Sequence, residues 1–152
     1  MPSYGYNQVQ SVALNQGAIY NTINPCRQGK IWHEDETAGS VLRGIPKCPC
    51  SNTAKYKVTA ISNIALPEGA TVVPIAVAFT VDGEVRSATR AIYTPAAAED
   101  YGNVTVSDII DVPRGCCFRI IVGNVSASDE TGYVPAQTIN MQNLNINIDQ
   151  VQ

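Results

Sequence analysis

The chain has 152 residues, 45% of them hydrophobic and only 15% charged, with a net charge of −3. The length suits one domain, and with charge so far below the roughly 25% usual in globular proteins, uncharged Asn, Gln, Ser and Thr must form much of the surface. There is no basic footprint for nucleic acid or anionic membrane, and the longest apolar run, Val72 to Phe79, is broken by Pro74 and far short of the roughly 20 residues of a membrane helix.

Met1 to Ser11 is polar and lacks the basic and apolar regions of a secretory leader, so synthesis without Sec targeting is expected. Through the first fifty residues the apolar positions come in small groups (Val9, Val12, Leu14; Ile19, Tyr20, Ile23) between Asn, Gln and Gly. This reads as an extended N-terminal arm with short strands. Residues 1–31 are assigned to the arm, with an anchoring or assembly role, and residues 32–152 to the folded domain.

From Ala54 the pattern has period two: Ala54, Tyr56, Val58, Ala60, Ser62, Ile64 and Leu66 share one face, opposite Lys55, Lys57, Thr59 and Asn63. That predicts a long half-buried strand ended by Pro67-Glu68-Gly69. Val73 to Val81 follows with both faces apolar or small, which predicts a central strand or one against a neighbouring subunit. Asp82-Gly83 suits a type I′ hairpin turn, because both residues tolerate positive φ. Glu84 to Tyr93 is expected to return as a strand with Arg86 and Arg90 on one face. Thr94-Pro95 followed by Ala96 to Glu99 has the capping chemistry of one or two helical turns. Three further strands are predicted: Val104 to Val112, Cys116 to Val125, and Ile139 to Ile148. In the last, Leu144, Ile146 and Ile148 face one side, and Asn143, Asn145 and Asn147 form a polar ladder on the other. Regularly spaced strands without a long helix predict an all-β sandwich or jelly roll.

His33 is the only histidine, so any mechanism pairing a histidine with a nucleophile must use it. It begins the run His33-Glu34-Asp35-Glu36, which is expected to be a solvated loop, because adjacent carboxylates diverge and rarely converge on one cation. Trp32 is expected to pack under that loop. No metal or cofactor site is expected. Nothing nominates a catalytic residue, and the chain is read as not an enzyme.

Five cysteines, Cys26, Cys48, Cys50, Cys116 and Cys117, leave at least one thiol over if the rest pair within the chain. Cys-Pro-Cys and Cys-Cys lack common zinc spacings. In a jelly roll, Val41 to Arg43 runs antiparallel beside the strand that starts at Cys116. Cys48 or Cys50 then lies near Cys116 or Cys117, either bridged or as reduced, buried small residues. Asn103-Val104-Thr105 and Asn124-Val125-Ser126 match the glycosylation pattern without a secretion signal to support them. Arg86, Arg90, Arg114 and Arg119 offer a small basic patch, with charge balancing as the simpler role.

Several runs carry a resemblance: Lys55-Tyr56-Lys57-Val58, Asn63 to Val72, Val81-Asp82-Gly83-Glu84, Thr94-Pro95-Ala96-Ala97, Asp111 to Cys117, and Ile139 to Leu144. Over roughly Thr53 to Gln152 the chain resembles small domains of phages and prophages of gut Firmicutes, similar in strand pattern to TNF-like and C1q-like jelly rolls. His33-Glu34 and Leu42-Arg43-Gly44 extend the resemblance weakly toward the N-terminus. No Gly-X-Y repeat precedes the domain, and Ala127 to Pro135 reads as an insertion that lengthens a loop.

The resemblance implies a TNF-like jelly-roll β-sandwich, a homotrimer formed through the outer face of one sheet, and a virion setting. The expected function is a capsid decoration protein on the virion surface, with the major capsid protein or another virion protein as partner and no nucleic acid or membrane. Deleting Met1 to Leu14 should then abolish incorporation without unfolding the domain. The alternative is a receptor-binding, adhesive fibre tip, with Tyr101 and Tyr133 as stacking residues on exposed loops, or a surface-filament subunit cross-linked through Cys26 or the Cys-Pro-Cys segment.

Overall fold

In the computed structural model, residues 2–26, 28–125 and 138–152 are described. Their strands are β1 (Ser3–Tyr6), β2 (Gln10–Val12), β3 (Ile19–Asn24), β4 (Ile31–Trp32), β5 (Thr37–Ala38), β6 (Ser40–Arg43) and β7 (Thr53–Ala65). There follow β8 (Ile75–Val81), β9 (Glu84–Val85), β10 (Ala91–Tyr93), β11 (Gly102–Pro113), β12 (Cys117–Val125) and β13 (Ile139–Gln150). They build two antiparallel sheets. The first runs β11-β7-β13-β1-β3-β5, with β2 also on β13; the second runs β10-β8-β12-β6-β4, with β9 also on β8. The fold is a jelly-roll β-sandwich, and the expected all-β architecture is present.

The core lies between the sheets, and alternation explains its membership. Along β7, Ala54, Tyr56, Val58, Ala60 and Ile64 are buried, as period two requires. Leu42, Ile75, Val77, Phe79, Ile120 and Val122 meet them from the second sheet. Full burial of each large aliphatic side chain contributes about 1.5–3 kcal/mol. Ala76 and Ala78, on the other face of β8, are buried with Val125 in a smaller cluster, so β8 is covered on both sides as its composition predicts.

Along β13, Ile139 and Met141 are buried, and then Leu144, Ile146 and Ile148. The step from Met141 to Leu144 changes parity. A bulge between Gln142 and Asn145 absorbs it, with Asn143 at a φ of 56°. Without this bulge, half the strand would turn its apolar side chains to solvent.

Asp82 and Gly83, with φ of 49° and 85°, make the expected hairpin turn, pairing Val81 with Glu84. Beyond it the continuous strand to Tyr93 gives way to β9, a 3₁₀ turn at Ser87–Thr89 and β10. The buried Thr89 causes the break. Its hydroxyl accepts from the Phe79 N–H at 3.1 Å and donates to the Arg86 carbonyl at 2.7 Å, taking the place of ladder bonds. The helical turn expected after Thr94 is also absent. The Glu99 N–H, which a helix would direct to Pro95, donates to the Leu66 carbonyl at 2.9 Å, and the Asp100 carboxylate accepts from the Ala96 N–H.

The N-terminal segment is extended, as expected, but it is woven into the sandwich. β1 pairs with β13 from Ser3↔Asn147 to Tyr6↔Leu144 and with β3 on its other side. Tyr4, Val12, Ala18 and Tyr20 are buried in the core. Residues 3–24 therefore cannot be detached as a free arm, and removing residues 1–14 would strip two strands, β1 and β2, and the core side chains Tyr4 and Val12 from the fold.

Candidate functional site

The His33 segment is a packed corner. Its imidazole lies against Tyr20, and its ring nitrogens stand 2.7 Å from the Gly39 carbonyl and 2.8 Å from the Tyr20 carbonyl, so it joins β3 to the β4–β6 region. The Tyr20 hydroxyl bonds Ser40 beneath it. Glu34, Asp35 and Glu36 are not brought together as ligands. The Asp35 carboxylate accepts the Thr22 N–H at 2.8 Å, which holds its carboxyl below the usual carboxylate pKa range, and the Glu36 N–H donates to the Asn21 side chain. Among the described residues, no group of three or more His, Cys, Asp or Glu side chains is placed to hold a metal.

Trp32 corrects its expectation. In the two-residue β4, Ile31 pairs with Leu42 and points inward, which forces Trp32 outward at 49% exposure. Asn124 cannot serve as a glycosylation acceptor, since it is buried and its amide donates to the Val12 carbonyl at 3.0 Å. Asn103 is exposed and donates to Asn63. Three of the four arginines are committed separately: Arg86 pairs with Asp108 at 3.0 Å, Arg114 holds the 48–51 loop, and Arg119 donates to the Ala38 carbonyl. Tyr101 is 39% exposed before β11. Tyr133 and the insertion around it lie outside the described residues.

β6 does pair with β12, placing Arg43 opposite Cys117, as the jelly-roll geometry predicts. All five cysteines are free thiols. Cys48, Cys50, Cys116 and Cys117 are exposed, which removes the buried alternative for those four, while Cys26 is half-buried. Burial pushes the Cys26 thiol up, but the surrounding N–H groups of Gln28, Lys30, Ile31 and Gly29 outweigh it and hold the thiol below its usual range.

The outer face of the β11-β7-β13-β1-β3 sheet is a broad polar surface among the described residues. Two rows cross all five strands. One runs Thr105, Ile61, Asn145, Gly5, Asn21; the other runs Ser107, Thr59, Asn147, Ser3, Asn24. Four strand spacings make this face about 19 Å wide. Side-chain bonds stiffen it: Thr59 to Ser107 at 3.3 Å, Asn24 to Ser3 at 2.9 Å, and Asn147 to Asn145 at 2.9 Å. Charges gather at one end, where Lys55 lies 4.0 Å from Asp111 and Lys57 is in register with Ile109 and Asp149. Isoleucines punctuate the face: Ile61 on β7 is 38% exposed, Ile109 on β11, beside the charged end, 54%, and Ile23 on β3 60%. The Asn145 and Asn147 part of this face is legible in the sequence. The rest required the register across β7, β11 and β1, and alternating Thr, Ser and Asn in each strand is the signal that was there to find.

No family model matches the chain, and no curated protein matches it. Among solved structures it is similar to the native structure of a family 35 carbohydrate binding module from Clostridium thermocellum, at 12% identity and a TM-score of 0.32, over 95% of this chain and 90% of that one.

Proposed function

We propose that this protein is a non-catalytic virion structural subunit, a capsid decoration protein whose copies associate as a trimer through the outer face of the β11-β7-β13-β1-β3 sheet. The observation that carries the reading is the composition of that face. Hydroxyl and amide side chains lose less on desolvation than charges do, and they bond equally well to a copy of the same surface. Ile23, Ile61 and Ile109 add exposed apolar contacts spread among the polar side chains of the face. A face about five strands wide can supply the roughly 800 Å² per partner of a specific interface. Three copies meeting head to tail close a ring, which suits a heterologous contact on a single face.

The resemblance to phage domains supplies the setting. Immunogold electron microscopy on a lysate of the native source, with antibody to this chain, tests it. Regular label over capsids is the expected result, and label confined to tail tips or cell-surface filaments would overturn it. The exposure of Tyr101 favours an adhesive tip as second reading, for which glycan binding would be lost in Tyr101→Ala.

A further inference from the structure

The Cys48–Cys50 loop is built around a cation. The Arg114 guanidinium reaches into it, Nη2 donating to the Pro49 and Ser51 carbonyls at 2.7 Å each and to the Cys48 carbonyl at 3.4 Å, with Nε donating to Ser51 at 3.1 Å. The Arg114 N–H bonds Asn52, the Gly115 N–H bonds Gly44, and the Gly44 N–H bonds Cys116, so the loop is fixed against the turn before β12. Both thiols of Cys-Pro-Cys are exposed at this pole.

The cation and the turn at Ser51 both engage the Cys48 carbonyl. The Ser51 N–H bonds the Cys48 carbonyl at 3.1 Å, and the neighbouring Cys50 thiol and N–H, the Ser51 N–H and the Arg114 charge together hold the Cys48 thiol below its usual range. The thiolate is the nucleophile in sulfur exchange, and a thiol beside a cation and N–H donors supplies more of it at neutral pH. A second exposed thiol, two residues on, is placed to resolve the adduct.

We propose that Cys48-Pro49-Cys50 is a thiol–disulfide exchange site for low-molecular-weight disulfides, with Cys48 attacking and Cys50 resolving. The Cys48 thiolate attacks one sulfur of the disulfide R–S–S–R. A Cys48–S–S–R bond forms, the original S–S bond breaks, and its electron pair leaves on RS⁻, which takes a proton from water. Cys50 then gives its proton to solvent, and its thiolate attacks the Cys48 sulfur and expels the second RS⁻. The protein is oxidised to a Cys48–Cys50 disulfide while R–S–S–R is reduced to two thiols. This inference is independent of the assembly reading.

The test treats the reduced full-length chain with oxidised glutathione at neutral pH, followed by acid quenching, alkylation and peptide mass spectrometry. Wild type is expected to pass through glutathione on Cys48 to a 48–50 disulfide, Cys50→Ser to stop at the Cys48 adduct, and Arg114→Gln to slow the first step roughly tenfold. Glutathione arriving first on Cys50, Cys116 or Cys117, or wild type and Cys50→Ser giving the same product, would overturn the proposal. The Cys50→Ser arm decides it alone if Arg114→Gln disrupts the loop.

Discussion

The imidazole of His33 lies face to face with the ring of Tyr20, their centroids 4.1 Å apart and their planes 9° from parallel, and Tyr4 meets both rings edge-on. Combined with its contacts to the Gly39 and Tyr20 carbonyls, this makes His33 a structural residue. His33→Ala is expected to lose about 2–3 kcal/mol in urea denaturation, from the stack, a hydrogen bond and a carbonyl left without its donor. His33→Phe, which keeps a ring, should lose less. Equal stability of His33→Ala and wild type would contradict this role.

Three core tyrosines set the alkaline limit of the fold. Burial pushes Tyr4 and Tyr56 up to about 12, and Tyr20 rises further for the same reason. Because the neutral phenol is the form the core accepts, their stabilisation is fully present below the ordinary phenol value of 10.0 and is lost as pH rises toward 12. Stability should fall steeply across that window, with phenolate absorbance appearing together with unfolding. Phenolate absorbance from all seven tyrosines near pH 10 with the fold intact would contradict it.

Removing residues 1–14 should unfold or insolubilise the chain. β1 fills the gap between β13 and β3 and β2 pairs with β13 beyond it; without them Tyr4 and Val12 leave the core, and β13 keeps β7 but loses its partners on the other side over Ile139 to Met141 and Leu144 to Asn147. Circular dichroism and a thermal melt would read this directly, and a truncated chain melting like wild type would show that the segment is dispensable.

Gly44 is where β6 leaves the sheet and passes the turn before β12. A Cβ there would come within 1.9 Å of the Pro113 carbonyl oxygen and 3.1 Å of the Cys116 carbonyl oxygen, both backbone atoms that cannot swing aside. Gly44→Ala should cost about 1–3 kcal/mol or more. Gly69→Ala, which meets no atom within 4 Å but sits at a φ of 76°, should cost less. The order of the two melting temperatures checks the claim.

The long strands were legible because their burial has period two and their turns carry particular chemistry. β7 and the Asp82-Gly83 hairpin follow from local pattern alone. Tertiary bonds decided the failures. Thr89 supplies a hydroxyl to Phe79 and ends a strand that alternation would continue, and Leu66 takes the N–H that a helix after Pro95 would have used. Trp32 looked like a residue to bury, but the inward position of its two-residue strand belongs to Ile31. The polar rows were hidden for a different reason. Each strand displays its Thr, Ser or Asn in plain alternation, but only the register of five strands reveals that Ser107, Thr59, Asn147, Ser3 and Asn24 form one line.

The most direct test of the assembly reading is the mass of the full chain by light scattering after size exclusion, at several concentrations, beside Ile61→Lys. Ile61 is exposed on β7, in one of the two rows that cross this face, so the substitution adds a charge to the proposed interface with little demand on the core. Wild type should have three times the 16.3 kDa mass of the chain, and Ile61→Lys should be a folded monomer. A wild-type monomer at every concentration, or an oligomer that Ile61→Lys leaves intact, would contradict association through this sheet.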